Sequence, residues 1–493
     1  MNTSVKETGA APGAHTFRRE LRLMDATMLV MGSMIGSGIF IVSADIARGV
    51  GSPGYLLLVW LIAGLITIVG ALAFGELTGL FPWAGGQYVF IREAYNPLIG
   101  FLYGWSLFMV IQAGTIAAVA MAFAKFSAVL FPILDERVIA FDILGFRVKA
   151  AQIAAIALIA VLTWVNTRGI RGGKLVQDVF TTAKVAALLG LIALGIILGS
   201  DGAVISGNLA SFWDAQAALV AGGKLVSVEA LAGIALLTAI GTSMVGAIFS
   251  SDAWNNITFT AAEVVNPKRT IPLSLAMGTG AVTVLYLLAN VAYLAVLPVT
   301  GTPDAGAVLG QGIQFAVNDR VATAAASMAM GASAAKVMAV LVMVSTFGCN
   351  NGLILAGARV YYAMARDGLF FKSAGVLNGK DVPGAALVMQ AVWASILCLS
   401  GTYGDLLDYV IFVVLIFYIL TVGGVFVLRR RMPGAARPYR MLGYPVVPAL
   451  YILTLGAIAV DLLIYKPAYT WPGMGIVLLG VPIYFAWSRF SKK

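Results

Sequence analysis

Charge is scarce in this chain. Of its 493 residues only 11% are charged, whereas 60% are hydrophobic, and a soluble domain carries about 25% charged residues. So many apolar residues exceed the capacity of one soluble core, because such cores stop growing at about 250–300 residues. The composition therefore excludes a water-soluble enzyme, a nucleic-acid-binding protein and a disordered chain. It predicts a protein that crosses the membrane several times.

Histidine and cysteine are almost absent. The single histidine, His15, lies in the polar N-terminal tail, which excludes a histidine-based metal centre or a serine–histidine triad within the membrane. No histidine is therefore available to transfer protons within the predicted membrane spans. Cys349 and Cys398 lie within apolar runs, so they cannot form an extracellular disulfide framework. We expect no metal and no cofactor.

The apolar residues form runs long enough to cross a bilayer. One span needs about 20 apolar residues, and the sequence contains about twelve such runs. The runs lie near 25–44, 55–80, 98–126, 148–167, 175–199, 232–260, 271–298, 337–365, 384–400, 406–428, 442–465 and 471–488. Residues 81–97 are mixed in character and are expected on the membrane surface. Residues 305–335 are weakly apolar and are expected to form a short extracellular helix pair.

The distribution of Lys and Arg predicts the orientation. Twelve spans place both termini on one side of the membrane. With the N-terminus in the cytoplasm, the inside segments hold about 21 Lys and Arg and the outside segments about nine, as the positive-inside rule requires. The net charge of +10 then reflects cytoplasmic loops, not an acidic partner. We expect a multi-pass protein of the inner (plasma) membrane with both termini cytoplasmic.

Two apolar runs are interrupted by small and polar residues. Gly32–Phe40 places three glycines and two serines inside the first run, and Ile248–Asn256 places a Ser-Ser-Asp cluster inside the sixth. Matching interruptions indicate discontinuous helices around a midplane site. Each interrupted run opens a block of five spans, and an odd number of spans makes the second block cross the membrane inverted. The predicted fold is an all-α polytopic protein with a 5+5 inverted repeat, discontinuous helices 1 and 6, and two extra helices.

The same reasoning divides the chain into five parts. They are a cytoplasmic tail at 1–24, a first five-helix repeat at 25–199, an extracellular loop at 200–231, an inverted second repeat at 232–428, and two additional helices with a short cytoplasmic tail at 429–493.

The interruptions suggest a site for a zwitterion. Unwinding at Gly36, Ser37 and Gly38 would free backbone N–H groups that favour a carboxylate. The break in the sixth span would offer carbonyl groups, and the Asp252 carboxylate, to an ammonium group. Together these groups would recognise the head group of an α-amino acid. Two structural alternatives stay open: close helix packing through Gly32 and Gly36, and a purely structural role for Asp252 as a cap of a half-helix.

Two basic residues also fall within predicted spans. Lys184 lies about ten residues into the fifth run, which is about 15 Å deep. Its side chain cannot reach the surface from there, so it must find internal partners, for function or to hold helices together. In either case a fixed ammonium could occupy the place where other transporters bind sodium. Arg359 lies near the cytoplasmic end of the eighth run, and we expect it to reach the surface as a structural residue.

Five motifs carry a family resemblance. They are Gly32–Phe40 (GSMIGSGIF), Pro82–Tyr88 (PWAGGQY), Phe180–Ala187 (FTTAKVAA), Phe249–Pro272 (FSSDAWNNITFTAAEVVNPKRTIP) and Phe347–Gly368 (FGCNNGLILAGARVYYAMARDG). In this order they resemble the amino acid–polyamine–organocation superfamily, and in particular the L-type amino acid transporters and their bacterial relatives. The resemblance covers nearly the whole chain and implies a LeuT-type fold and alternating access.

The resemblance also implies roles for individual residues. Ser37 and Gly38 correspond to positions that bind the substrate carboxylate. Carbonyls near Met34 and the break at Phe249 and Asp252 correspond to the amino-group site, and the aromatic residue at Phe249 to an extracellular gate.

A lysine in the fifth span is a further family feature, and here it is Lys184. The resemblance implies that it links the first break, at Gly36, to the eighth span and makes transport independent of sodium. The partner in the eighth span is usually a hydroxyl residue. This sequence has Cys349 there, with Ser345 one turn earlier.

The primary hypothesis is a secondary active transporter of neutral L-amino acids that works by sodium-independent exchange or proton-coupled uptake. The stretch Phe412–Tyr418 has few polar groups, which favours neutral substrates. A polyamine or cationic amino-acid antiporter is the alternative, with Asp252 as its obvious acid, and a non-transporting amino-acid sensor is a more remote one. A channel would need a repeated filter, and a membrane enzyme would need paired catalytic groups. We find neither.

The expected partners are an amino-acid substrate and the lipid bilayer, and no nucleic acid. Animal relatives join a glycoprotein through a cysteine outside the third span. Since no cysteine lies between Ala124 and Ala150, we expect no disulfide-linked heavy chain, and a monomer or weak homodimer.

Overall fold

The structure is almost entirely helical. A computed structural model describes residues 17–143, 146–221, 224–400 and 403–490. Residues 1–16 of the predicted N-terminal tail, with His15, lie outside the described residues. The α-helices are α1 Leu23–Met34, α2 Gly38–Ile41, α3 Ser43–Val50, α4 Pro53–Leu80, α5 Gln87–Ala94, α6 Pro97–Ser106, α7 Gln112–Leu130, α8 Ala150–Thr167, α9 Ile170–Ile197, α10 Gly202–Ala210, α11 Gly233–Ser250, α12 Asn256–Phe259, α13 Pro267–Val296, α14 Val308–Gln311, α15 Val321–Met330, α16 Ala334–Arg366, α17 Gly384–Ser400, α18 Tyr403–Arg431, α19 Val446–Tyr465 and α20 Pro467–Phe490.

Shorter elements join these helices. A π-helical turn at Leu107–Ile111 connects α6 to α7. Single 3₁₀ turns occupy Pro132–Leu134, Ala261–Glu263, Val317–Asp319, Gly331–Ser333 and Lys372–Gly375. Two antiparallel hairpins pair β1 Ile139–Ile143 with β2 Phe146–Lys149, and β3 Gln216–Ala221 with β4 Lys224–Ala230.

The helices confirm a polytopic membrane protein. Among the described residues eleven helical segments are long and apolar enough to cross a membrane. They are Leu23–Ile41, Pro53–Leu80, Pro97–Leu130, Ala150–Thr167, Ile170–Ile197, Gly233–Ser250, Pro267–Val296, Ala334–Arg366, Val410–Arg431, Val446–Tyr465 and Thr470–Arg489. The remaining predicted run is α17, a helix of 17 residues at the lower limit for a span. Helices suit these runs because each satisfies its own backbone polar groups in lipid.

The first and sixth spans are discontinuous, as predicted. The first is helical to Met34 and resumes at Gly38, and the sixth is helical to Ser250 and resumes at Asn256. Within the second break Ala253 has a φ of +65°, a left-handed conformation that interrupts a helix. Two broken helices at the first and sixth positions of twelve are the arrangement that a 5+5 repeat requires. The limits of the two repeats stay a prediction.

The segments between spans are more structured than the sequence indicates. Residues 81–97 contain the short helix α5, and residues 305–335 contain α14 and α15, in agreement with the expected helix pair. The predicted loop at 200–231 contains α10 and the β3–β4 hairpin, which the sequence analysis did not anticipate. The side of the membrane on which each segment lies stays a prediction. We call the end of the bundle that holds segment 17–22 the N-terminal end, and the other end the opposite end.

Candidate functional site

The break in the first span is the centre of the candidate site. The last carbonyl groups of a helix have no partner within it, and α1 ends inside the bundle among buried residues. Three side chains from two neighbouring helices satisfy these carbonyls. They are Lys184 of α9 and Ser345 and Cys349 of α16, all completely or almost completely buried.

Lys184 holds the break from one side. Its ammonium donates hydrogen bonds of 2.5 Å to the carbonyl of Gly32 and 2.7 Å to the carbonyl of Ile35. A third bond of 3.3 Å reaches the backbone carbonyl of Ser345. An ammonium has three donors and no acceptor, so these contacts use all its hydrogen-bonding capacity. The side chain is 0% exposed, so it finds internal partners as the sequence analysis expects, while its depth in the membrane stays a prediction.

Helix α16 holds the break from the other side. The Ser345 hydroxyl lies 2.9 Å from the carbonyl of Gly36, and the Cys349 thiol donates to the carbonyl of Ser33 at 3.0 Å. The lysine thus meets α16 at a backbone carbonyl and not at either side chain. In the first break, Lys184 binds the carbonyls of Gly32 and Ile35. The carbonyl of Gly36, at the residue named in the sequence analysis, is bound by the Ser345 hydroxyl instead.

The break in the sixth span lies directly against the first. The Tyr286 hydroxyl of α13 lies 3.0 Å from both the Met34 and the Ser250 carbonyl oxygens. At Gly38 a Cβ atom would lie 2.0 Å from the Ser250 hydroxyl, so only glycine allows this approach. Phe249 precedes the last residue of the same half-helix, Ser250, and is buried.

These contacts show where the predicted substrate residues lie. Met34, Gly36, Ser37 and Gly38 line one break, and Phe249 and Asp252 belong to the other. The structure brings the two sets together at the centre of the bundle. Because α2 begins at Gly38, the first amides of this short helix have no partner within it. The binding roles of these residues stay predictions.

Asp252 projects from the sixth-span break towards α18. Its carboxylate accepts a hydrogen bond from the Tyr418 hydroxyl, and the residue is 9% exposed. A buried carboxylate requires such a donor, because an unsatisfied charge costs several kcal/mol in this environment. The Tyr418 ring itself packs against Phe74 and Trp254.

A small cavity opens beside Asp252. Its volume is about 20 Å³, room for about one water molecule. The lining residues are Gln87, Tyr103, Leu107, Ile111, Gln112, Thr115, Asp252, Ala253, Asn255, Asn256, Phe259, Leu353, Val414, Phe417 and Tyr418. Asp252 is the one predicted substrate residue among them. The cavity therefore adjoins the two breaks and does not replace them.

Several polar residues of this cavity escaped the sequence analysis. Asn255 donates to the side chain of Gln87 at 2.8 Å, and Gln112 donates to the Leu353 carbonyl at 2.7 Å. The Asn256 amide nitrogen is buried and has no hydrogen-bond partner among the described residues. The signals were present: Gln87 and the two asparagines fall in the quoted motifs, and Gln112 is an amide within an apolar run.

Arg359 corrects one expectation. Instead of reaching the surface it is 1% exposed and forms an ion pair of 2.9 Å with Glu263, just beyond α12. Burial raises the pKa of Glu263, while the neighbouring guanidinium acts in the opposite direction. The pair joins α16 to the segment that continues the discontinuous sixth span.

Ion pairs also close the N-terminal end below the first break. Arg18 pairs with Asp381 at 2.6 Å, and Lys174 of α9 pairs with Asp25 of α1 at 2.9 Å. They attach the start of the first span to α9 and to the loop after α16.

Membrane-length helices, with adjoining breaks in the first and sixth spans and a buried lysine bonded to the first break, define a multi-pass membrane permease of the LeuT type. The profile of the family described as "Amino acid permease" matches residues 21–484. The chain belongs to this family, and it is therefore a permease and not an enzyme.

Named relatives support this assignment. The chain is 29% identical to human "Large neutral amino acids transporter small subunit 2", over 99% of this chain and 84% of the relative. It is 28% identical to mouse "Asc-type amino acid transporter 1", over 95% of this chain and 81% of the relative. It is 27% identical to rat "b(0,+)-type amino acid transporter 1", over 98% of this chain and 90% of the relative.

Proposed function

We propose that this protein is a secondary active transporter that moves neutral L-amino acids by alternating access without sodium. The observation that carries the proposal is the Lys184 ammonium, which is fixed on the carbonyls of the first break. Three relatives whose names describe amino acid transporters support amino acid transport, and one of these names specifies large neutral amino acids.

The substrate head group would bind between the two breaks. Its carboxylate would accept hydrogen bonds from the backbone around Gly36, Ser37 and Gly38, at the start of a half-helix where anions are favoured. Its ammonium would meet the carbonyls of the breaks. The Met34 and Ser250 oxygens already face the Tyr286 hydroxyl, and each carbonyl has a second lone pair to offer.

The carboxylate of Asp252 and the ring of Phe249 would complete the site. Asp252 is held by Tyr418, which fixes the direction of its negative charge towards the cavity. We infer that this charge attracts the substrate ammonium. We also infer that the Phe249 ring covers the substrate on the side that faces α11, the first half of the sixth span.

Transport requires the helices around this site to separate. A cavity of about 20 Å³ cannot hold an amino acid, so the substrate must enter another arrangement of the same elements. At the N-terminal end, opening would have to break the Arg18–Asp381 and Lys174–Asp25 pairs. The Arg18 side chain is 66% exposed, and a surface pair of this kind is worth at most about 1 kcal/mol. The Lys174–Asp25 pair is partly buried. Since neither pair is fully buried, they close the end without locking it.

The position of Lys184 supports the proposed independence from sodium. A sodium ion at a break would be coordinated by backbone oxygens, and here the ammonium uses those of Gly32 and Ile35. The positive charge is thus covalently attached to α9. Energy must then come from exchange of amino acids or from a proton gradient.

A second candidate is antiport of polyamines or cationic amino acids. The specific observation in its favour is the Asp252 carboxylate on the cavity wall. Asp252 is the one acid among the residues that line the cavity, and the α-ammonium of the substrate would already use it, so neutral substrates are favoured.

The setting of the protein is part of the proposal. We place it in the inner (plasma) membrane with cytoplasmic termini, on the bias of Lys and Arg. We propose a monomer or weak homodimer without a disulfide-linked heavy chain, because no cysteine lies between Ala124 and Ala150.

Exchange in liposomes tests the proposal. Liposomes that contain the purified protein are loaded with an unlabelled neutral amino acid. They should take up the radiolabelled amino acid when choline replaces all sodium. A strict requirement for a sodium gradient would refute the coupling argument, and uptake of polyamines without amino acids would favour the second candidate. Uptake driven by a proton gradient in the absence of internal amino acid would distinguish symport from exchange.

A thermal-shift screen identifies the substrate independently of transport. A ligand that binds only the folded protein raises its melting temperature. All twenty amino acids and common polyamines should be compared at equal concentration. Stabilisation by neutral amino acids alone is expected.

A further inference from the structure

A groove between three spans lies apart from the transport site. Helices α4, α11 and α19 enclose about 400 Å³ towards the opposite end of the bundle. The groove is lined by Ile62, Leu237, Thr238, Ile240, Gly241, Met244, Thr454, Ala457, Ile458 and Asp461. Since all three helices are membrane spans and Leu237 is 67% exposed, the groove faces lipid. Its walls are mainly apolar, and one residue is acidic.

Asp461 is the unusual feature of this groove. It precedes the end of α19 at Tyr465 by four residues, which places it about 6 Å inside the helix end. An acid within a span is costly and indicates function by default. The Asp461 side chain is half-exposed, but its Oδ2 atom is buried and has no hydrogen-bond partner among the described residues.

The surrounding chain makes room for this oxygen. A Cβ atom at Gly241 would lie 2.5 Å from Asp461 Oδ2, so any larger residue there would push the carboxylate away. Oδ2 is thus held against α11, while the half-exposed Asp461 side chain forms part of the wall of an apolar groove. A carboxylate in this state is stabilised by a cation that donates a hydrogen bond.

The ligand must combine this cation with apolar surface. Aliphatic side chains form most of the groove, and they favour hydrocarbon over a free hydrophilic amine. A primary ammonium carries three N–H donors, as in lysine, whereas a trimethylammonium has none. A depth of about 6 Å from the helix end suits the boundary between lipid head groups and acyl chains.

We propose that this groove binds a phospholipid with a primary-amine head group, of the phosphatidylethanolamine class, with its ammonium on the groove-facing side of the Asp461 carboxylate. The acyl chains would lie along the aliphatic walls formed by α11 and α19. Because α11 ends at the sixth-span break, the lipid would rest against an element of the transport site. The proposal does not depend on which substrate is transported.

Lipid titration of the purified full-length protein tests the site. Delipidated protein is titrated with phosphatidylethanolamine, phosphatidylcholine and phosphatidylglycerol of identical acyl chains, and bound lipid is counted by native mass spectrometry. We expect the dissociation constant for phosphatidylethanolamine to be about ten-fold lower than for the other two, the contribution of one hydrogen bond to a charged group. Equal binding of the three lipids to the wild type would overturn the proposal and needs no variant.

Variants then locate the binding. Asp461→Asn should reduce phosphatidylethanolamine binding to the level of phosphatidylcholine, and Asp461→Glu should retain part of the preference. The matched control is Asp304→Asn, which removes one carboxylate from an exposed loop and should leave the preference unchanged. A ten-fold preference that persists in Asp461→Asn would place the amine elsewhere and refute the assignment.

Discussion

Removal of the Lys184 ammonium is the sharpest test of the transport site. We consider Lys184→Met, which keeps an unbranched side chain of similar length but removes the charge and all three donors. In the wild type these donors serve Gly32, Ile35 and Ser345. The substitution therefore removes both contributions that we propose for Lys184. These are the hydrogen bonds that shape the break and the positive charge beside it.

The magnitude follows from which carbonyls lose their only partner. The Ile35 oxygen keeps a hydrogen bond of 3.1 Å from the Ser345 hydroxyl, and the Ser345 oxygen lies inside α16, where the helix itself supplies a donor. The Gly32 oxygen belongs to the last turn of α1 and is left unsatisfied. One buried unsatisfied carbonyl costs about 1–3 kcal/mol, while the cost of burying an ammonium disappears. Because these two effects oppose each other, we expect the free energy of unfolding to fall by less than about 3 kcal/mol.

The effect on transport should exceed the effect on folding. The break must keep its shape in every state of the cycle, and the carbonyl oxygens have no cation without Lys184. We expect exchange of a neutral amino acid to fall by at least about ten-fold, which corresponds to a barrier increase of about 1.4 kcal/mol. Proteoliposome exchange measures the rate, and thermal unfolding in detergent measures the stability. Lys336→Met is the matched control, since Lys336 is an exposed lysine on α16.

One result would refute this reasoning. If Lys184→Met exchanges amino acids at the wild-type rate without sodium, the ammonium neither organises the break nor replaces a cation. The thermal unfolding measurement distinguishes a folded variant that has lost exchange from a variant that no longer folds. Recovery of exchange when sodium is added would strengthen the interpretation, because a free cation would then occupy the vacated position.

Three further substitutions test other contacts. Gly38→Ala should abolish exchange and destabilise the protein by about 1–3 kcal/mol through overpacking, because the new Cβ would lie 2.0 Å from the Ser250 hydroxyl; exchange and thermal unfolding measure both effects. Asp252→Asn should raise the KM for a neutral amino acid by about ten-fold or more, since a hydrogen bond to a charged group is lost, and the concentration dependence of exchange checks this. Arg359→Met should lower stability by about 3–5 kcal/mol, because it leaves the buried Glu263 carboxylate unpaired. The double variant with Glu263→Gln should recover much of that loss in the same unfolding assay, and an unchanged loss would contradict the pairing argument.

Much of the fold could be predicted because membrane helices obey simple rules. A run of apolar residues indicates a span through its length alone, and glycine, serine and aspartate inside such a run indicate a break. The two breaks therefore appear in the structure at Ile35–Ser37 and at 251–255, as the sequence suggests. The burial of Lys184 followed in the same way, from its distance along a helix of constant rise.

Contacts between distant segments could not be predicted in this way. The eighth span turns its Ser345 carbonyl towards Lys184, and helix rotation, which a single sequence does not determine, sets that choice. The partner of Arg359 lies 96 residues away at Glu263, so the arginine appeared free to reach the surface. The cavity wall likewise combines Gln87 and Gln112, from separate elements, and only tertiary packing brings them together.

Three buried charged contacts share one feature that bears on how the protein moves. Lys184 joins α9 to the first-span break, Tyr418 joins α18 to Asp252 in the sixth-span break, and Arg359 joins α16 to Glu263 beyond it. In each case a continuous helix holds part of a discontinuous span through a polar contact with a defined geometry. Apolar packing allows helices to slide by small amounts, whereas such a contact is either made or broken. The discontinuous spans should therefore move as units with the helices that hold them, and alternating access should exchange a few discrete contacts instead of deforming the bundle gradually.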